Sequence, residues 1–227
     1  SSVRPGLQVP FQYWTSRGFA VLDVNYRGST SFGRAYRERL NGNWGVMDVQ
    51  DCVDGAQYLI DLGRVDPTRV AIRGRSSGGF AVLNALASSE VFTAGASFFG
   101  IADLAKLSAT THKFESHYDR ILLGTDDMSD PVWADRSPIN RVAHIKAPLL
   151  LLQGTDDAVV PPEQAEEMYE ALRQAGNAVA LKLYEGEGHG FRSAQNIKDA
   201  LLSELSFYRT VWGIATDTPI HVEIANL

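Results

Sequence analysis

The segment Gly74-Arg75-Ser76-Ser77-Gly78 places a serine among small residues, which suits nucleophilic chemistry. Residues 69–73 before it predict a short strand, and residues 79–87 after it have the composition of a buried helix. A serine on a sharp strand-to-helix turn is exposed above the strand end, and the free N–H groups of the helix point to where an oxyanion would form. The pattern predicts Ser76 as a nucleophile in acyl transfer and the backbone N–H of Ser77 as an oxyanion donor.

Two later loops supply candidates for the base and the acid that a serine nucleophile requires. Residues 154–161 and residues 185–191 each follow a predicted strand, and they contain Asp157 and His189. Because the carboxyl ends of parallel strands meet at one edge of a sheet, we expect both side chains to lie near the serine. The sequence predicts a Ser76–His189–Asp157 triad, and the chain order Ser, Asp, His fits a strand-to-helix nucleophile.

Each of these features also has a non-catalytic interpretation. A Gly-x-Ser-x-Gly string occurs by chance, a histidine between glycines is commonly exposed to solvent, and an Asp-Asp pair commonly forms a turn. Asp156 competes with Asp157 for the role of the acid, and Asp103 is a more remote third choice. The other histidines stand at less suitable positions. His112 and His117 lie in an irregular segment, His144 precedes the last buried apolar run, and His221 lies in the tail.

Alternating strands and helices carry these loops. Strands are predicted at 19–26, 69–73, 94–99, 148–153 and 178–184, and helices at 48–62, 79–87, 163–175 and 196–212. Residues 101–132 are less regular and are predicted to be helical in parts. The alternation predicts one α/β domain over residues 1–227, with a mostly parallel central sheet flanked by helices. We expect residues 19–26, a nearly continuous apolar run, to be covered on both faces, and residues 213–227 to be a loosely attached C-terminal extension.

The composition of the chain excludes several classes of partner. A formal net charge of −6 over 227 residues argues against nucleic acid or an anionic membrane, and no apolar run approaches the roughly 20 residues of a membrane span. The single cysteine, Cys52, fits a reducing compartment, so we expect a cytoplasmic protein in which this thiol is an inert part of the core. No cluster has metal-ligand spacing and no phosphate loop is present, so no metal or cofactor is predicted.

As a set, these motifs resemble the catalytic domain of the prolyl oligopeptidase family of serine peptidases, in particular its acylaminoacyl-peptidase and dipeptidyl-peptidase-like branch. The resemblance runs from about Phe11 to Trp212. It is carried by Asn25-Tyr26-Arg27-Gly28-Ser29, by Asn43-Trp44-Gly45 with Asp48 and Asp51, by the Ser76 turn with Gly78-Gly79, by residues 154–161 and by residues 186–191. Residues 154–161 match the family's G-x-x-D-x-x-V-P loop, and this match favours Asp157 over Asp156 as the acid.

The resemblance implies an α/β-hydrolase fold and hydrolysis of short peptides or acyl-amino acids, and it leaves a homo-oligomer open as the assembly state. Position matching also assigns Ile101, Leu104, Leu107 and Val160 to an apolar pocket for the residue before the cleaved bond; the alternative is that they are ordinary core. Arg27 either reaches the substrate or fixes its own loop.

The sequence departs from the family in two places. The residue after the nucleophile is usually aromatic or small in the family, and Ser77 is tolerable there but not distinctive. A His-Gly-Gly-Pro-like stretch, which supplies the second oxyanion donor in the family, is missing before Phe11, as is the family's β-propeller. We therefore expect an N-terminal part to be absent from this chain. Two functional alternatives stay open: a carboxylesterase acting on small acyl esters, and a non-catalytic α/β-hydrolase scaffold.

Overall fold

The computed structural model describes residues 6–110, 118–215, 219 and 221–227. Within them, one sheet has four strands whose spatial order is their chain order: β1 (Ala71–Arg75), β2 (Ala94–Phe98), β3 (Leu149–Gly154) and β4 (Val179–Tyr184). All three pairings are parallel. The predicted parallel sheet is therefore confirmed, and the four carboxyl ends of its strands lie at one edge.

Helices connect and cover these strands. They are α1 (Val9–Thr15), α2 (Arg34–Arg37), α3 (Met47–Asp61), α4 (Ser77–Ser88), α5 (Leu104–Thr110), α6 (Tyr118–Leu123), α7 (Val132–Asp135), α8 (Glu163–Gln174) and α9 (Ala194–Val211), with 3₁₀-helices at Glu38–Leu40 and Pro138–His144. The four predicted helices are confirmed to within two residues at either end. Residues 111–117 lie outside the described residues, and His112 and His117 with them. Among the described helices, none is both long and apolar enough to cross a membrane.

The core lies on both faces of the sheet. Every residue of β2 and of β3 is buried, as expected for parallel strands that helices cover on both sides. One face packs against α3, α4 and α8, and the other packs against α9 and the aromatic side chain of Trp14. This two-sided packing fixes the strand ends from which the loops of the site begin.

The predicted strand at residues 19–26 is wrong. The chain forms no strand there, and Val21 and Leu22 are 40% and 47% exposed, so the segment is not covered on both faces. A strand forms only where a neighbouring strand exchanges backbone hydrogen bonds with it. Within the described part of the chain, the sheet ends at β1, and none of its strands pairs with this segment.

The C-terminal segment is held more firmly than the sequence predicts. Ala225 forms an antiparallel bridge with Val179, with two backbone hydrogen bonds of 2.9 and 3.1 Å. The amide of Asn226 donates to the carbonyl of Arg173 near the end of α8, and Val222 is buried. Residues 221–227 therefore cover the outer edge of β4 and are not a loose extension.

Candidate active site

The turn that carries Ser76 is tight and strained. Ser76 lies between β1 and α4 with φ 54° and ψ −121°, a left-handed conformation that non-glycine residues rarely adopt. A Cβ on Gly74 would lie 2.2 Å from the carbonyl oxygen of Gly78, and a Cβ on Gly79 would lie 2.6 Å from the Cα of Gly100. Gly78 itself faces open space. The turn therefore requires glycine at 74 and at 79, whereas the glycine at 78 has no such steric reason.

The three predicted side chains meet at the carboxyl edge of the sheet. The Nε2 atom of His189 lies 2.8 Å from the Oγ of Ser76, and its Nδ1 lies 2.8 Å from Oδ2 of Asp157. Ser76 follows β1, Asp157 follows β3 and His189 follows β4. A hydroxyl, an imidazole and a carboxylate in this sequence of contacts can pass a proton from the serine to the histidine.

Asp157 is a well-anchored carboxylate, 4% exposed. Its Oδ1 accepts hydrogen bonds from the backbone N–H groups of Val159 and Val160, both at 2.9 Å. Burial alone would raise the pKa of Asp157, but the hydrogen bond with His189 and those two N–H groups outweigh it and lower the pKa below its ordinary value. The carboxylate thus stays ionised and can orient the imidazole.

The loops that carry Asp157 and His189 are bonded to each other. The N–H of Asp156 donates to the carbonyl of Glu187 at 2.9 Å, and the N–H of Gly186 donates to Oγ1 of Thr155 at 2.9 Å. The approach is so close that a Cβ on Gly154 would lie 2.2 Å from the Glu187 carbonyl oxygen. The separation of the acid and the histidine is therefore set by backbone contacts.

The histidine loop also has an internal anchor. The carboxylate of Glu187 accepts hydrogen bonds from the N–H groups of Arg192 and Ser193, at 2.6 and 2.9 Å, and from the amide of Asn196. These bonds, that of Arg192 first, lower the pKa of Glu187 below its ordinary value. Because they tie the loop to the start of α9, they restrict the motion of His189.

Ser77 opens α4, and its backbone N–H has no acceptor among the described residues. The N–H of Ser76 is occupied, since it donates to the carbonyl of Phe98 at 3.0 Å. The first N–H groups of a helix are unsatisfied within it and carry the positive end of its dipole. The Ser77 N–H can therefore donate a hydrogen bond to an oxyanion that develops beside the serine.

The competing acids and histidines lie elsewhere. Asp156 is exposed, and its carboxylate accepts a hydrogen bond from Thr155. Asp103 accepts one from the N–H of Lys106 in α5. His144 is exposed ahead of β3, at the amino edge of the sheet, and His221 belongs to the C-terminal segment.

The four predicted pocket residues come together in one buried cluster, which also contains Trp44 and Phe80. Their exposed fractions lie between 0% and 6%: Ile101, Leu104, Leu107 and Val160. The side chain of Gln164 accepts hydrogen bonds from the N–H groups of Ala102 and Asp103, at 2.8 and 2.7 Å. This amide joins α8 to the loop after β2 and so fixes one wall of the cluster.

Two other side chains are accounted for by local contacts. The guanidinium Nε of Arg27 donates to Asp51 at 2.8 Å, as does its backbone N–H at 2.6 Å, so Arg27 fixes its own loop. Burial, with the nearby carboxylates of Asp48 and Asp51, raises the pKa of the Cys52 thiol to about 12. A thiol that stays protonated is a poor nucleophile, which agrees with an inert core cysteine.

Sequence reasoning missed two residues that contact the site. The amide of Gln153, fully buried, donates to Oδ2 of Asp157 at 3.3 Å and to the carbonyl of Val160 at 3.1 Å. The ring of Phe99, at φ 39°, packs edge-on against His189 with 4.8 Å between ring centroids. A glutamine directly after four strand leucines is a usable signal for Gln153, whereas the sequence offers none for Phe99.

A parallel sheet flanked by helices, with a serine on a strained strand-to-helix turn and an acid and a histidine on later loops, defines an α/β-hydrolase. Within that class, the chain belongs to the prolyl oligopeptidase family, whose family model matches residues 5–214 of the chain.

Named relatives support this assignment. The chain is 33% identical over 195 residues to the dipeptidyl aminopeptidase BIII of Pseudoxanthomonas mexicana, covering 82% of this chain and 28% of the relative. It is 33% identical over 209 residues to the human acylamino-acid-releasing enzyme, covering 86% of this chain and 28% of the relative. A solved puromycin-hydrolyzing peptidase of Mycobacterium tuberculosis superposes with a TM-score of 0.87 at 46% identity, covering 89% of this chain and 31% of that chain. The chain thus spans less than a third of the length of each.

Proposed function

We propose that the protein is a serine peptidase that hydrolyses short peptides or acyl-amino acids through an acyl-enzyme on Ser76. The observation that carries this proposal is the pair of 2.8 Å contacts that join Ser76 Oγ, His189 and Asp157. The names of the relatives, a dipeptidyl aminopeptidase, an acylamino-acid-releasing enzyme and a puromycin-hydrolyzing peptidase, support a substrate with a short acyl part.

In the proposed reaction, Ser76 Oγ attacks the substrate carbonyl carbon while His189 Nε2 takes the hydroxyl proton. The carbonyl oxygen becomes an oxyanion that the N–H of Ser77 stabilises. His189 then gives its proton to the leaving amine, the C–N bond breaks, and an ester to Ser76 remains. Water attacks this ester by the same steps, releases the acid and returns the proton to Ser76. Asp157 holds the Nδ1–H of His189 throughout.

The buried cluster of Ile101, Leu104, Leu107 and Val160 is the proposed pocket for the residue before the cleaved bond. Because its walls are apolar, we expect the ratio kcat/KM to rise from alanyl to leucyl and phenylalanyl substrates. The substitution Val160→Ala removes both γ-methyl groups of the valine from the wall and widens the pocket. It should therefore raise the ratio of phenylalanyl to leucyl kcat/KM. An unchanged ratio of phenylalanyl to leucyl kcat/KM in Val160→Ala would assign the cluster to ordinary core.

Steady-state hydrolysis by wild type and Ser76→Ala tests the function. The substrates are an N-acetyl-aminoacyl anilide, a dipeptidyl anilide, puromycin and a p-nitrophenyl ester. We expect cleavage of at least one amide by wild type, none by Ser76→Ala, and wild-type rates for Ser88→Ala, whose hydroxyl donates within the same helix. Hydrolysis of the ester alone would indicate a carboxylesterase. More than a few percent of wild-type activity in a folded Ser76→Ala protein would overturn the assignment.

A further inference from the structure

A side chain far away in sequence reaches the residue that follows the nucleophile. The indole Nε1–H of Trp44 donates to the Oγ of Ser77 at 3.1 Å, across 33 positions of the chain. Trp44 is buried, with 3% of its surface exposed. The acceptor belongs to the same residue whose backbone N–H is the proposed oxyanion donor, so this bond lies one residue from the reacting hydroxyl.

Trp44 is itself held by its surroundings. The guanidinium of Arg136 donates to the carbonyls of Trp44 and Gly42, at 2.9 and 3.0 Å, and the N–H of Trp44 donates to the carbonyl of Leu122 at 3.2 Å. The indole packs on the ring of Phe80 in α4, with 4.5 Å between centroids. A ring fixed on its backbone and on its face can act as a rigid support.

The next residue makes this close packing possible. Gly45 has φ 77°, and a Cβ at that position would lie 2.9 Å from the Phe80 ring. Its N–H donates to the carboxylate of Asp48 at 2.7 Å. The turn after Trp44 is therefore tied to the first turn of α3, which leaves the indole little freedom to move away from α4.

Two side chains contact the hydroxyls at the start of α4, His189 at Ser76 and Trp44 at Ser77. No side chain caps the helix at Ser76, and the residue is strained at φ 54°. The carbonyl of Ser76, which shares a peptide plane with the Ser77 N–H, accepts a hydrogen bond from the N–H of Phe80 at 3.0 Å, so the helix fixes one end of this plane. The hydrogen bond from Trp44 to the Ser77 side chain adds a constraint at the other end of the plane, because it restricts the Ser77 Cα to which the amide nitrogen is bonded.

We propose that Trp44 is a positioning residue, which aims the oxyanion-donating N–H of Ser77 by holding the Ser77 hydroxyl. This inference rests on the proposed function and deepens it. A positioned donor lowers the energy of the transition state more than that of the bound substrate, so its loss lowers kcat and leaves KM little changed. A buried indole N–H that merely needs an acceptor would affect stability alone.

The experiment is a double-mutant cycle in the full-length protein with Trp44→Phe, Ser77→Ala and the combination. Both single variants keep the backbone N–H of Ser77 and break the same hydrogen bond. We expect each to lower kcat about tenfold, with KM within about twofold, and the double variant to lose no more than either one. Ser77→Thr, which retains a hydroxyl, should recover most of kcat.

Trp212→Phe is the matched control. Its indole Nε1–H donates to the Oγ1 of Thr93 at 3.0 Å, so the variant deletes the same kind of bond. Thr93 precedes β2, at the amino edge of the sheet and away from the site. We expect Trp212→Phe to keep the kcat of wild type, whatever it does to the free energy of unfolding.

The outcomes separate this inference from the proposed function. Wild-type kcat in a folded Trp44→Phe or Ser77→Ala protein would overturn the inference and leave the peptidase intact. So would a loss in the double variant equal to the product of the single losses. If Trp44→Phe does not fold, Ser77→Ala and Ser77→Thr carry the test, because neither opens a large cavity. A wild type that neither turns over substrate nor reacts with a fluorophosphonate would overturn the proposed function, and this inference with it.

Discussion

The site has two halves that are held in different ways. The acid and histidine half rests on backbone hydrogen bonds between the loops of Asp157 and His189, with the Glu187 carboxylate as an added anchor. The serine half rests on one strained turn, on glycines that admit close contacts, and on an indole from residue 44. Backbone bonds between neighbouring loops tolerate many side-chain changes, whereas close packing does not. Apart from Gly154, whose added Cβ would overlap the Glu187 carbonyl, the serine half should therefore be the more sensitive to substitution outside the triad.

After replacement of the nucleophile itself, the largest effect on activity is expected from Asp157→Asn, which acts on the acid and histidine half. The amide would hold the imidazole in the wrong tautomer, and we expect kcat to fall about 10,000-fold. Asp156→Asn is the matched control, since this neighbour is exposed and does not contact His189. Steady-state kinetics on both variants measure kcat and so identify which aspartate is the acid. A loss in Asp156→Asn and none in Asp157→Asn would reverse the assignment of the acid.

Gly74→Ala tests the serine half by stability. Its added Cβ would lie 2.2 Å from the Gly78 carbonyl oxygen, and the backbone must shift to relieve the overlap. We expect the free energy of unfolding to fall by about 3 kcal/mol, near the upper end for overpacking. Gly78→Ala meets open space in the first turn of a helix, so we expect a gain of at most about 1 kcal/mol. Chemical denaturation measures both, and equal costs would contradict the steric account of the turn.

The dependence of stability on pH sharpens the comparison further. Burial raises the pKa of Asp48, which ties the turn at Gly45, from an ordinary 3.8 to about 6. A raised carboxyl pKa contributes stability at low pH that is lost as the pH rises through the folded value. Because one pKa unit is about 1.4 kcal/mol, wild type should lose about 2 kcal/mol relative to Asp48→Asn between pH 4 and pH 7. This prediction would be refuted if the free energy of unfolding changed by the same amount in wild type and in Asp48→Asn between pH 4 and pH 7.

The features that the sequence predicted depend on local patterns. Runs of small and apolar residues identify β2 and the four leucines identify β3, because strands covered by helices on both faces carry mostly apolar side chains. Glycine-rich loops directly after the strands bring Ser76, Asp157 and His189 to one edge, since all four strands are parallel.

The features that it did not predict depend on distant contacts. Residues 19–26 have a strand-like pattern, but a strand also requires a neighbour, and the pattern holds no information about that neighbour. The Trp44–Ser77 hydrogen bond and the packing of Phe99 on His189 join residues 33 and 90 positions apart. The single bridge from Ala225 to Val179 has no periodicity by which to recognise it. Such pairs follow from tertiary packing, which short motifs do not encode.

The central claim is that Ser76 is an activated nucleophile, and covalent labelling tests it most directly. Wild type and Ser76→Ala are incubated with a fluorophosphonate probe, and the modified peptide is mapped by mass spectrometry. The account predicts a single labelled residue, Ser76, in wild type and no label in the folded Ser76→Ala protein. Label on another residue, or an unlabelled but folded wild type, would contradict it.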